Sequence, residues 1–161
     1  MAVIKGTPGN GNTADDLTGT DAADQIAGGD GNDRIRGGLG DDSISGGAGD
    51  DGITGNQGDD LLFGGDGNDD LNGGADYDTA QYRGALSDYT IYLNDRGEVI
   101  IIDNVGSDGR DTLKNIEALK FWENGAYKTY AIADILPRSS WAIRLVQTNS
   151  AAPVDLPAFI L

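Results

Sequence analysis

A nine-residue period runs through the middle of the chain: GGDGNDRIR, GGLGDDSIS and GGAGDDGIT follow one another from Gly28 to Thr54. A period this short is a strong constraint, because every unit must build the same local structure and none is long enough to bury a core by itself. Eight units can be laid out, starting at Asn10, Gly19, Gly28, Gly37, Gly46, Gly55, Gly64 and Gly73. Their sixth positions are Asp15, Asp24, Asp33, Asp42, Asp51, Asp60, Asp69 and Asp78, aspartate throughout. Their eighth positions are Leu17, Ile26, Ile35, Ile44, Ile53, Leu62, Leu71 and Ala80, so the column is aliphatic. Units 28, 37, 46 and 64 fit G-G-x-G-x-D-x-U-x in full, whereas Asn56 replaces a second glycine and Asp76 a fourth. Upstream, GTPGN at 6–10 followed by DDLT at 15–18 reads as another unit opened by four inserted residues.

Glycine at positions one, two and four lets the backbone take positive φ and turn tightly while its carbonyls converge. The aspartate closes that turn with a carboxylate. The remaining x-U-x is a three-residue strand whose aliphatic points inward, since neighbouring side chains alternate faces. Two units make one 18-residue turn of a flattened helix, and stacked turns pair each strand in parallel with the one a turn below. The expected fold is all-β: a parallel β-roll of about four such turns.

In that roll units i and i+2 lie above one another, which sorts the aspartates into two ladders: Asp15, Asp33, Asp51, Asp69, and Asp24, Asp42, Asp60, Asp78. Successive carboxylates then sit roughly 4.8 Å apart, one strand spacing. They repel unless a cation stands between them. Ca²⁺ suits the place, because it takes about 6 to 8 oxygens and accepts backbone carbonyls as readily as carboxylates. The eight aspartates are therefore the candidate metal ligands, joined by backbone carbonyls of turns such as Gly28, Gly37, Gly46, Gly55, Gly64 and Gly73. Three intervals per ladder give about six Ca²⁺ sites. On this layout Asp78 ends its ladder and serves at most one interval, whereas Asp42 and Asp51 serve two.

Charge points the same way. The chain carries 27 acidic and 11 basic residues, and residues 10–81 hold 17 aspartates against only Arg34 and Arg36. Such a surface repels nucleic acid and anionic membrane, whose binding rests on Lys and Arg. No apolar run approaches the roughly 18 residues of a membrane span. With no cysteine and no histidine, thiolate chemistry and the commonest general base and zinc ligand are missing. GNGNTA at 9–14 satisfies G-x-G-x-x-A, but no strand precedes it and no helix follows, so it is no dinucleotide site. An EF-hand started at Asp66 fails too, with Leu71 where glycine belongs and Tyr77 where glutamate belongs.

The repeat resembles the RTX, or hemolysin-type, calcium-binding nonapeptide repeat. The resemblance implies a calcium-loaded β-roll in the C-terminal part of a protein exported by type I secretion, hence a secreted, extracellular chain.

After Gln81 the pattern changes. SDYTIYLNDRGEVIIIDN predicts two strands, about Asp88–Leu93 and Glu98–Asp103, around a turn at Asn94–Gly97, a hairpin that caps the roll. In the following stretch Asp111–Lys120 reads either as a short helix or, as the resemblance favours, as strand-like coils. Its phrase D-T-L-x-N-I-E-x-L-x-F is also familiar downstream of RTX repeats. Tyr82, Tyr89, Tyr92, Trp122, Tyr127 and Tyr130 serve as core and rim of the cap or, alternatively, as a sugar-stacking platform. From Pro137 periodicity ends, and the close DLPAFIL resembles an RTX-type secretion signal carried by Asp155 and Phe159 to Leu161; the other reading is an ordinary frayed tail.

The expected organisation is a lead-in at 1–9, the calcium-binding roll at 10–81, a cap of antiparallel and irregular strands at 82–136, and a flexible tail with the secretion signal at 137–161. The expected function is a non-catalytic module, a monomer within a larger chain, that folds on Ca²⁺ outside the cell and supports export through the type I machinery. The alternative is a polysaccharide-binding accessory module of the alginate type, which requires Arg83, Arg96, Arg110, Lys114, Lys120 and Lys128 to cluster on the cap.

Overall fold

The computed structural model describes residues 1–6 and 13–136. The chain alternates between two sheets. In one lie β1 (Val3–Lys5), β3 (Gln25–Asp30), β5 (Ser43–Ala48), β7 (Leu61–Asp66) and β9 (Thr79–Gln81). In the other lie β2 (Asp16–Thr18), β4 (Arg34–Leu39), β6 (Gly52–Gln57) and β8 (Asp70–Ala75). All these strands pair in parallel with their neighbours, Ile26 beside Ile44 beside Leu62 and Ile35 beside Ile53 beside Leu71, each step 18 residues. A parallel β-roll is what the nine-residue period demands. Facing side chains meet in its centre: Ile26, Ile44, Leu62 and Ala80 from one sheet, Ile35, Ile53 and Leu71 from the other, none more than 2% exposed.

Three local expectations need correction. Strands β3 to β8 run six residues instead of three, because x-U-x continues straight into the first three positions of the next unit. Glycines assigned only to turns therefore pair across the sheet, Gly29 with Gly47 and Gly47 with Gly65. Second, positive φ belongs to positions two and four, as at Gly29 (116°) and Gly31 (132°), and not to the position-one glycines Gly28, Gly37, Gly46, Gly55, Gly64 and Gly73. Asn56 and Asp76, which stand in for glycine at positions two and four, keep φ at 88° and 82°. Their short polar side chains tolerate the left-handed region better than most. Third, β1 takes part of the expected lead-in into the roll. Ile4 lies opposite Ile26, a step of 22 that matches one turn plus the four inserted residues.

The cap continues the roll rather than sitting on it. β10 (Tyr89–Leu93) and β11 (Val99–Asp103) form the expected antiparallel hairpin. The stretch Asp111–Lys120 is not helical: it falls into β12 (Arg110–Lys114) and β13 (Ala118–Glu123). β12 pairs in parallel with β8 and β13 in parallel with β9, so both sheets gain a strand before β11 and β14 (Ala126–Ala131) pair with them antiparallel. Leu113 stands opposite Leu71 and Leu119 opposite Ala80, which carries the aliphatic columns upward.

Tyr82, Tyr89 and Phe121 close the core with ring centroids 5.1 to 5.5 Å apart. Trp122 and Tyr127 remain 44% and 41% exposed, edge to face at 4.9 Å. Arg83 clasps the two parts: it pairs with Asp66 of β7 and Asp108 of the cap while lying 5.4 Å over the Phe63 ring. A short helix, Ile132–Ile135, ends the described chain, and the expected secretion signal lies outside the described residues.

Because a buried column of single aliphatics leaves no neighbour free to fill a gap, Ile53→Ala should cost about 2 to 5 kcal/mol. Val105→Ala, at a residue 77% exposed, should stay within about 0.5 kcal/mol. Urea unfolding in saturating calcium compares them, and equal midpoints would show that the column does not hold the roll.

Candidate metal centre

The two aspartate ladders form as the period requires, and the structure shows how each rung is held. Within the repeats the backbone N–H of each ladder aspartate donates to Oδ1 of the aspartate one turn above: Asp15 to Asp33 at 2.8 Å, Asp33 to Asp51 at 2.7 Å, Asp51 to Asp69 at 2.8 Å. The second ladder repeats this from Asp24 to Asp42, Asp42 to Asp60 and Asp60 to Asp78, at 2.8 to 3.0 Å. Position five builds two more hydrogen-bonded rows, one running Asn32, Asp50, Asn68 and the other Asp41, Asp59, Tyr77, which sequence reasoning did not single out. Asn32, Asp41, Asp50 and Asp59 accept the N–H of Asp50, Asp59, Asn68 and Tyr77 respectively. In those rows the side chain accepts from the turn above and in the ladders from the turn below, so the turns are tied from both sides.

The other ladder oxygen carries the chemistry. Oδ2 of Asp33, Asp42, Asp51, Asp60, Asp69 and Asp78 is buried with no hydrogen-bond partner. Leaving a buried carboxylate oxygen unpaired is costly, and six in register call for a common ligand. Position one explains where it sits. A methyl group on Gly28 would collide with Asp33 Oδ2 and the carbonyl oxygen of Gly46; on Gly37 with Asp42 Oδ2 and Gly55 O; on Gly46 with Asp51 Oδ2 and Gly64 O; on Gly55 with Asp60 Oδ2 and Gly73 O. Position-one glycine thus keeps open a cradle where a carboxylate oxygen and a carbonyl oxygen converge. Among the described residues no three carboxylates gather in one place, and the oxygens that converge on each cradle are one carboxylate and one carbonyl. That is a hard-cation set of the kind Ca²⁺ accepts.

The first units depart from the rule. Asp24 Oδ2 accepts from the Thr20 hydroxyl at 2.8 Å and the Thr20 N–H at 2.6 Å, where most other units have glycine. Its carboxyl is held below its ordinary value, chiefly by the Ala2 N–H. At the other end the expectation that Asp78 is terminal fails. Its N–H donates to Glu117 Oε2 at 2.9 Å, and the N–H of Asp69 donates to Asp111 Oδ1 at 2.9 Å. Both ladders therefore gain a carboxylate from the cap. The signal was present in the sequence: Asp111-Thr112-Leu113 and Glu117-Ala118-Leu119 keep the acid-x-aliphatic core of the repeat without its glycines.

Burial dominates the electrostatics. It pushes the carboxyls of Asp51 and Asp60 up to about 7 and those of Asp69 and Asp78 up to about 6, despite the N–H that each accepts. Asp111 is pushed up to about 8. Neighbouring ladder carboxylates add to the rise in Asp51 and Asp60.

Four of the cap cations are engaged within the chain. Arg83 is spent on Asp66 and Asp108, Lys114 pairs with Glu98 at 3.2 Å, Lys128 pairs with Glu123 at 3.1 Å, and Lys120 stands 5.0 Å over the Tyr127 ring. Arg34 and Arg36, the only bases of the repeat segment, line an outward trough with Thr54, Asn72, Thr112 and Lys114.

Comparison with known proteins agrees with this geometry. The profile of the RTX calcium-binding nonapeptide repeat (4 copies) matches residues 9–44, 18–53 and 45–80. No curated protein matches the chain. Among solved structures, the extracellular lipase LipA from Serratia marcescens superposes with a TM-score of 0.58 at 23% identity, over 71% of this chain and 19% of the lipase. The AlgE6R3 subunit of the Azotobacter vinelandii mannuronan C5-epimerase gives 0.47 at 22% identity over 96% and 97% of the two chains. The first likeness supports the fold, and the chain spans only that 19% of the lipase's length.

A raised carboxyl pKa in the roll makes the metal-free fold sensitive to pH in a definite direction. Unfolded aspartates titrate near 3.9, whereas burial pushes Asp51, Asp60, Asp69, Asp78 and Asp111 up to about 6 to 8. Between those values the folded state holds more protons, so its stability falls as pH rises. In EDTA, β-structure should be greater at pH 5 than at pH 7.5 by circular dichroism, and saturating calcium should abolish the difference. The opposite slope in EDTA would contradict the burial of these carboxylates.

Proposed function

Residues 9–80 belong to the family of RTX calcium-binding nonapeptide repeats, and from that premise we propose that the chain is a calcium-triggered folding module that supports export and stability of a larger secreted protein. The observation that carries the reading is the row of six buried Oδ2 atoms without partners, each facing the cradle beside a position-one glycine. Asp33, Asp42, Asp51 and Asp60 would hold the ions, with the carbonyls of Gly46, Gly55, Gly64 and Gly73 one turn above them. Calcium supplies the positive charge that lets the carboxylates approach at strand spacing. Because the cradles exist only between stacked turns, its binding free energy is folding free energy. Without it, a segment with one aliphatic per nine residues cannot offset a conformational entropy cost of about 1 to 2 kcal/mol per residue. An extended chain then suits passage through an exporter, and calcium on the order of millimolar outside the cell suits closure.

The test follows the same sample through EDTA, Mg²⁺ and Ca²⁺ by circular dichroism and amide NMR dispersion. Disorder of residues 10–81 in EDTA, cooperative folding with millimolar Ca²⁺ and failure with equal Mg²⁺ are expected, since Mg²⁺ demands a tighter octahedron and keeps its water. A folded roll in EDTA at pH 7.5 would refute the switch. The export half is checked by deleting residues 138–161, which should stop secretion through a type I exporter while leaving calcium-induced folding intact.

A second reading, binding of a carboxylated polysaccharide, draws on the trough where Arg34 lies beside Arg36, itself paired with Asp16 at 2.8 Å, and where Thr54, Asn72 and Thr112 offer hydroxyl and amide partners. Calorimetric titration of the calcium-loaded chain with alginate oligomers tests it. Saturable binding lost in Arg34→Gln/Arg36→Gln is the outcome expected, and no heat at millimolar oligomer rejects it.

A further inference from the structure

The place where the roll meets its cap repeats, in different residues, the geometry of the cradles below it. Beside Gly55, Asp60 Oδ2 has no partner, the Gly73 carbonyl closes the space, and Asp78 accepts the Asp60 N–H. One turn higher, beside Gly73, Asp78 Oδ2 has no partner, the carbonyl of Asn115 closes the space, and Glu117 accepts the Asp78 N–H. Asp78 is wholly buried. Asn115 reaches this place with φ at 49°, a left-handed conformation that asparagine bears better than most residues. The cap thus compresses the glycine-rich turn into Asn115-Ile116-Glu117, with Ile116 buried, and still delivers a carbonyl and a carboxylate.

The other ladder ends differently. Asp111 continues it, but Asp111 Oδ2 accepts the Tyr82 hydroxyl at 3.0 Å, and the three atoms nearest a methyl on Gly64 all belong to Asp69. No carbonyl is among them, and a hydroxyl satisfies the last carboxylate.

We propose that Asp78, the Asn115 carbonyl and Glu117 form a further calcium site that fastens the cap to the roll, while the partner ladder ends in the Tyr82 hydroxyl. The proposal rests on the reading of the ladders as calcium sites and adds to them a site half built by residues outside the repeats. Its consequence is that cap order is coupled to calcium directly, through a shared ion, as well as through the roll beneath.

The test uses the full chain carrying Trp141→Phe, so that Trp122 on β13 alone reports the cap. Glu117→Gln keeps an acceptor for the Asp78 N–H and removes the charge. Glu98→Gln, on the hairpin beside Lys114, removes the same charge away from the ladders. Calcium bound at saturation is counted by equilibrium dialysis, while far-UV circular dichroism follows the roll and Trp122 emission the cap. Glu117→Gln should bind one Ca²⁺ fewer than the parent, and its Trp122 transition should need roughly tenfold more calcium while the dichroism midpoint stays; Glu98→Gln should match the parent in both. An unchanged count together with an unchanged Trp122 midpoint in a folded Glu117→Gln chain overturns the proposal. A parent chain that binds no calcium overturns the ladder reading itself, which separates the two failures.

Discussion

Carboxylates stacked one strand spacing apart and shut away from water set the terms for everything else in this molecule. At roughly 4.8 Å two such charges repel by several kcal/mol even at the effective dielectric typical of protein surfaces. Each rung accepts one N–H from the turn below, which positions it without neutralising it. The remaining oxygen of six rungs has no protein partner at all. A hydrophobic core one aliphatic wide does not compensate for that, so the ladder either carries cations or does not form at neutral pH.

Glycine serves two separate needs around that ladder. At positions two and four it supplies positive φ, a need that Asn56 and Asp76 also meet. At position one the backbone is unexceptional, and glycine is required because a methyl group would occupy the space between carboxylate and carbonyl. From Gly28 to Gly73 the chain tolerates two substitutions at the conformational positions, Asn56 and Asp76, and none at position one; the unit starting at Gly19 keeps its position-one glycine although Thr20 and Ala22 replace the other two.

A solenoid has to stop, and this one stops by imitation. β12 and β13 extend both sheets in parallel, prolong both aliphatic columns and donate Asp111 and Glu117 to both ladders before the chain turns antiparallel. Arg83, lying on Phe63 and held by Asp66 and Asp108, ties the side of the roll to the same cap. Aromatic rings then fill the end of a core that single aliphatics fill lower down.

The period, the invariant aspartate and the aliphatic column were enough to read from the sequence the two parallel sheets, the 18-residue register and the two ladders, because a repeat that short has few ways to bury one side chain per unit. The hairpin was legible too, from its strand pattern and turn. Not legible in the sequence were the function of position-one glycine and the occupation of Asp24 Oδ2 by Thr20, and the acid-x-aliphatic trace of Asp111 and Glu117, though present, lacks the glycines that mark a ladder unit. The glycine cradles and the ladder ends depend on which groups approach across 18, 39 or 42 residues, and the Thr20–Asp24 contact on a turn of four. Local propensity fixes a strand and a turn, but only the stacked structure decides which oxygen is left without a partner, since a hydrogen bond forms between whatever groups the packing brings within about 3 Å.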